Sequence, residues 1–164
     1  YKRQGFIFLG LINENDPKVI EYNCRFGDPE TQVVLPLLQS DLLTVMMAVE
    51  EGRLAETKVE FSGGAACCVV VASGGYPGKY ERGKTISFVD TPALREATVY
   101  HAGTKRDETG ALVTAGGRVL GVTATGATLA EAVGKAYHAA EAASFEGAYY
   151  RKDIGARALA AHAG

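Results

Sequence analysis

Four charged side chains and an amide fall within ten positions of one another in Glu21-Tyr22-Asn23-Cys24-Arg25-Phe26-Gly27-Asp28-Pro29-Glu30-Thr31-Gln32. Little else in the 164 residues gathers as much polar chemistry. Glu21, Asn23 and Arg25 are spaced two apart, so in a strand they share a face, while Ile20, Tyr22 and Cys24 point the other way into apolar packing. A carboxylate, an amide oxygen and a guanidinium on one face suit a divalent cation with phosphate. Mg²⁺ prefers hard oxygen ligands, takes one or two from protein and leaves the rest to water and phosphates. Arg25 brings a fork of donors that fits phosphate oxygens or a carboxylate. Asp28 and Glu30 follow in a loop, within reach of a cationic or hydroxyl-bearing substrate. Thr31, at the start of a helix, would offer free backbone N–H groups to an anion. The same triplet also suits the solvated face of an edge strand, with Glu21 and Arg25 in a surface ion pair of little worth. Spacing alone leaves both readings open.

The flanking sequence predicts how these residues are held. Residues 6–12 form a near-continuous apolar run, as in a strand buried on both faces. Asn13-Glu14-Asn15-Asp16-Pro17 is dense in turn formers, and Lys18 to Asn23 resumes an extended pattern. Two strands joined by a short polar loop predict an antiparallel hairpin. Gly27-Asp28-Pro29 ends the second strand, and Asp28 or Thr31 caps a short helix through Leu38. Ser40 or Asp41 caps another, Leu42 to Glu51, whose apolar stripe is Leu42, Leu43, Val45, Met46 and Val49; Gly52 stops it.

Beyond residues 53–61 the pattern turns to strands. Ala65 to Ser73 reads as a buried strand ended by Gly74-Gly75-Tyr76-Pro77-Gly78. Lys84 to Asp90 alternates as a half-buried strand should. Thr98 to Gly103, Ala111 to Thr114 and Arg118 to Ala124 read as further strands, with turns at 107–110 and a hairpin at Gly116-Gly117. Ala127–Ala143 is a helix capped by Thr128, with Glu131 completing a capping box and Leu129, Ala132, Val133, Ala136, Tyr137 and Ala140 inside. Tyr149 to Gly155 leads to a short terminal helix, and Ala158 to Gly164 reads as a solvated tail.

Composition excludes several classes. The formal net charge is −2 with no basic run, which argues against nucleic-acid or anionic-membrane partners. No apolar run approaches the roughly 20 residues of a membrane span. Cys24, Cys67 and Cys68 form neither a disulfide framework nor a zinc motif and read as reduced, buried thiols of a cytoplasmic protein. His101, His138 and His162 are scattered and suggest no metal site. Ser73 to Gly78 lacks the Lys and helix start of a phosphate loop and reads as a tight turn.

Residues 21–32 closely resemble the metal-binding segment of the glycinamide ribonucleotide synthetases (phosphoribosylamine–glycine ligases) of the ATP-grasp superfamily. The resemblance continues at Val34-Leu35-Pro36-Leu37-Leu38 with Ser40-Asp41-Leu42-Leu43, at Ala72 to Gly78, at Gly116 to Thr123 and at Tyr150-Arg151-Lys152-Asp153-Ile154-Gly155. It spans nearly the whole chain in the family's order. It implies ATP-dependent joining of glycine to 5-phosphoribosylamine through a glycyl phosphate, in purine biosynthesis. It further implies that Glu21 and Asn23 hold Mg²⁺ or Mn²⁺ on the ATP phosphates, and that Arg25 acts catalytically on the transferring phosphoryl group. Arg25, Asp28, Glu30 and Thr31 would contact substrate or phosphate.

One departure from the superfamily pattern is that Phe8-Leu9-Gly10 carries no acid where another metal carboxylate often stands. The start, Tyr1-Lys2-Arg3-Gln4, reads as a strand already under way, and the resemblance places the ATP-grasp lysines and adenine pocket upstream, in a missing N-terminal part of the same enzyme. The expected fold is α+β: the end of an ATP-grasp domain over residues 1–58, then a small antiparallel sheet flanked by helices over residues 59–164. The isolated chain is expected to be inactive. Two rival readings are a non-catalytic docking or folding module and a different ATP-grasp carboxylate–amine ligase.

Overall fold

The structure, a computed structural model, describes residues 7–12 and 16–162, in two compact units, Tyr1–Ser62 and Gly63–Gly164. The first unit opens with the expected hairpin. Strand β1 (Phe8–Ile12) pairs antiparallel with β2 (Lys18–Asn23), Gly10 lying opposite Glu21 and Phe8 opposite Asn23. The register slips between Gly10 and Leu11, so β2 carries a bulge one residue before Glu21. The expected start of β1 at Phe6 and turn residues Asn13 to Asn15 lie outside the described residues.

Burial of this hairpin differs from expectation. Leu9, Leu11 and Ile12 are exposed, as are Ile20 (65%) and Tyr22 (70%). A two-stranded ribbon needs another layer before its faces leave water, and the apolar run says nothing about which chain segment supplies that layer. Cys24, expected in apolar packing, is also exposed.

After β2, a turn leads into a single helical turn, α1 (Thr31–Val34), which tightens to 3₁₀ geometry at Leu35–Leu37. Neither Asp28 nor Thr31 caps it with a side-chain hydrogen bond. Helix α2 (Leu42–Glu50) is capped by Asp41, whose Oδ1 accepts from the Thr44 N–H at 2.7 Å and hydroxyl at 2.8 Å. Those bonds hold the Asp41 carboxyl below its ordinary range. Ser40, the other candidate cap, instead accepts from Glu60 N at 2.8 Å and donates to Lys58 O at 3.2 Å, joining the approach to α2 to the end of the unit. Val45 and Ala48 are buried on α2, whereas Leu43 and Met46 of the expected stripe are exposed.

The second unit begins with β3 (Ala65–Ser73), followed by β4 (Ser87–Phe88), α3 (Pro92–Arg95), β5 (Thr98–His101), β6 (Thr104–Arg106), β7 (Leu112–Thr114) and β8 (Arg118–Gly126). Then come α4 (Leu129–Glu141), β9 (Ala143–Ser144), β10 (Ala148–Tyr149) and α5 (Ala156–His162). The main sheet is antiparallel in the order β10-β3-β8-β5, with small pairs β4–β9 and β6–β7 beside it. Cys67, Val69 and Val71 of β3 and Leu120, Val122 and Ala124 of β8 form the core with Ala132, Ala136, Ala139 and Ala140 of α4. Four alanines on the inner stripe let the helix lie close to the sheet, where larger side chains would hold it off.

The capping box is present: Thr128 Oγ1 accepts from Glu131 N at 3.2 Å, and Glu131 Oε2 reaches back to Ala127 N at 2.9 Å. Three expectations fail here. Only Ser87–Phe88 of the 84–90 segment joins a strand pair, because Ile86 turns inward and Thr85 makes an isolated bridge to Val113. Gly116-Gly117 closes no hairpin, since β7 pairs with β6 while β8 pairs with β3 and β5. Ala158 onward is helix rather than tail up to His162: the Tyr137 hydroxyl donates to Arg151 O at 2.8 Å and accepts from Ile154 N at 2.9 Å, and Leu159 packs on the core. Residues 163 and 164 lie outside the described residues. Among the described residues no helix is long and apolar enough to cross a membrane.

Candidate active site

Beyond the bulge, β2 runs regularly, so Glu21 and Asn23 share a face as spacing predicts. Their Cα atoms are therefore about 6.7 Å apart, close enough for two side chains to converge on one small ion. Glu21 lies across Gly10 on the neighbouring strand. A Cβ built on Gly10 would stand 3.0 Å from Glu21 Cγ, so the glycine leaves the trough in which this side chain rests. The β1 position where an acid was looked for thus serves Glu21 by having no side chain. Glu21 is exposed and Asn23 half-buried, and neither side chain is hydrogen-bonded or ion-paired among the described residues. Two free hard-oxygen donors on a firm strand fit a Mg²⁺ or Mn²⁺ ion that draws its remaining ligands from water and phosphate. Among the described residues no three His, Cys, Asp or Glu side chains cluster to enclose a metal.

Arg25 does not extend this face. The strand ends at Asn23, and Cys24 and Arg25 form a bend. Alternation stops there, so Arg25 is placed by the bend rather than by the pleat. Its Nη1 donates to Phe26 O at 2.9 Å, and the exposed guanidinium borders a cleft of about 180 Å³ with Phe26, Gly27, Glu30, Thr31 and Val34. That volume is below the 300–1,000 Å³ or so typical of pockets that enclose a small molecule. The cleft is therefore of a size for an ion or one phosphate, not a nucleotide.

The turn that follows is built on Gly27, which is buried. A Cβ there would collide with the Glu30 carboxylate, so the glycine lets that side chain fold back over the backbone. Gly27 O accepts from Thr31 N at 3.0 Å and also from the Thr31 hydroxyl. Gln32 N bonds Pro29 O at 3.2 Å and Val33 N bonds Glu30 O at 3.1 Å. The expectation that this helix start offers free N–H groups is thus corrected: the preceding turn uses them, and Thr31 tightens the loop. Asp28 is exposed, and its Oδ1 accepts from Gln32 Nε2 at 2.8 Å. The sequence reading gave Gly10, Gly27 and Gln32 no role. Only Gln32 had a usable signal, its i,i+4 spacing from Asp28.

Residues 66–157 match the family described as phosphoribosylglycinamide synthetase, C domain. The phosphoribosylamine–glycine ligase of Chlorobaculum tepidum is 53% identical over 161 residues, covering 97% of this chain and 38% of that protein. The bifunctional purine biosynthetic protein PUR2,5 of Pichia angusta is 50% identical over 164 residues, covering 97% of this chain and 20% of that one. A crystal structure of phosphoribosylamine–glycine ligase from Thermotoga maritima superposes with a TM-score of 0.73 at 42% identity, covering 92% of this chain and 37% of that one. The chain thus spans well under half the length of these relatives.

Proposed function

The chain belongs to the phosphoribosylglycinamide synthetase family, and from that membership we propose that it is the C-terminal portion of an ATP-dependent ligase joining glycine to 5-phosphoribosylamine. The observation that carries this reading is the pair Glu21 and Asn23, free of partners on one face of β2 over Gly10, with Arg25, Asp28 and Glu30 in the turn directly after. Glu21 and Asn23 would hold Mg²⁺ or Mn²⁺, which supplies charge neutralisation on the ATP phosphates. Residues 1–58 form the end of an ATP-grasp domain in this reading, and residues 59–164 the C-terminal domain.

The residues divide the work by charge. The glycine carboxylate takes the γ-phosphoryl group of ATP, releasing ADP; the amine of phosphoribosylamine then attacks the acyl carbon, expels phosphate and loses a proton. Arg25 offsets negative charge on the phosphoryl group in flight, the kind of fixed electrostatic stabilisation on which phosphoryl transfer depends. Asp28 and Glu30 face the cationic parts of the substrates, and Thr31 keeps their loop closed on Gly27. A cleft too small for a nucleotide supports the further proposal that the 164 residues alone do not turn over, and that a preceding part of the same enzyme supplies the ATP site. A cytoplasmic setting belongs to the same reading and is supported by three unpaired cysteines.

The test is ADP release by the full-length enzyme. It requires ATP, glycine, phosphoribosylamine and a divalent cation together. Turnover with another acid in place of glycine sinks the assignment.

A further inference from the structure

The Gln32 amide is satisfied at one end only. Nε2 donates to Asp28 Oδ1 at 2.8 Å, whereas Oε1 is shut off from solvent with no hydrogen-bond partner among the described residues. Reversing the amide would set Oε1 against a carboxylate oxygen at that distance, acceptor facing acceptor, so the bond fixes which end is which. A buried acceptor without a donor is uncommon in native folds and calls for a reason. The arrangement costs the fold one unmade bond and secures one charge-assisted bond to Asp28, which limits the carboxylate to a single orientation. The nearest charged side chains in the same turn are Arg25 and Glu30; Glu30 is laid over Gly27, leaving Asp28 as the exposed carboxylate.

We propose that Gln32 is a positioning residue for Asp28, holding its carboxylate ionised and aimed to receive the ammonium group of the amino-acid substrate. The ammonium is the cationic end of that substrate at neutral pH, and a carboxylate with one oxygen tied back by an amide offers it the other. This inference rests on the ligase reading and refines one contact within it.

The test uses the full-length enzyme and steady-state kinetics. Gln32→Met keeps the side-chain length and removes the bond. It raises KM for glycine about tenfold while leaving KM for ATP, the metal concentration for half-activation and the melting temperature unchanged. Gln32→Glu restores a donor only when one proton is shared with Asp28, so its activity profile moves to lower pH than that of the unaltered enzyme. An unchanged KM for glycine in Gln32→Met overturns the proposal, as does an equal loss toward every substrate accompanied by a lower melting temperature. If Gln32→Met is too unstable to assay, a Gln32→Glu profile that superposes on the unaltered one overturns it equally. Failure of the unaltered enzyme to ligate glycine removes the ligase reading and this inference with it; ligation with an indifferent Gln32 removes this inference alone.

Discussion

The pairs β1–β2 and β3–β8 are both antiparallel and both rich in apolar residues, yet they end in opposite states. In β3–β8, Val69, Val71 and Val122 are 0% exposed beneath α4, while in β1–β2 Ile20 and Tyr22 are mostly in solvent. One pair lies in a unit that brings its own cover, and the other presents a polar edge, Glu21 and Asn23, on a thin ribbon. An apolar run specifies a strand. Whether the strand stabilises its own unit depends on what else that unit contributes.

The widest gap between the two regions should appear in core truncation. Leu120→Ala in β8 should destabilise the second unit by about 2–5 kcal/mol, because it empties a fully buried site. Ile20→Ala in β2 should change the stability of this chain by no more than about 0.5 kcal/mol. Chemical unfolding followed by far-ultraviolet dichroism compares them directly, and equal losses would erase the contrast.

A smaller effect is expected at the helix that covers the sheet. Thr128→Ala removes the cap of α4 and should cost about 1 kcal/mol, again within the second unit. A transition midpoint unmoved by this change would mean the cap adds nothing to that cover.

The cysteines sharpen the comparison by pH and by reactivity. Burial, and secondarily the neighbouring Cys68, pushes the Cys67 thiol up to about 11 from an ordinary 9.0. The folded value exceeds the unfolded one, so this contribution is complete below pH 9 and is lost as pH rises from 9 toward 11. The second unit should therefore weaken across that window, and Cys67→Ala should flatten the slope. In parallel, a thiol reagent at neutral pH should label exposed Cys24 and spare Cys67 and Cys68 until the second unit unfolds. Labelling of all three at one rate would contradict the burial described.

Much of the second unit was legible in the sequence because its signals are local. A nine-residue apolar run bounded by glycines became β3, and a Thr–Glu capping box with a 3.6-residue alanine stripe became α4. What could not be read depends on partners distant in sequence. The inward turn at Ile86 broke the alternation of residues 84–90, and the bonds of Tyr137 to Arg151 and Ile154 made a helix of an expected tail. In the candidate site the strand period placed Glu21 and Asn23 correctly. It misplaced Arg25, because the strand stops at Asn23, and it granted Thr31 free N–H groups that the Gly27 turn already occupies. The glycines that make room for Glu21 and Glu30 carry no side chain to notice.

Metal activation of Glu21→Gln in the full-length enzyme tests the central claim most directly. The account predicts that half-activation by Mg²⁺ or Mn²⁺ requires at least about tenfold more metal, because one of two protein oxygens loses its charge. The melting transition of the second unit should stay where it is. Unchanged metal dependence with normal turnover would contradict the role assigned to Glu21 and, with it, the reading of the β2 edge as a metal and phosphate site.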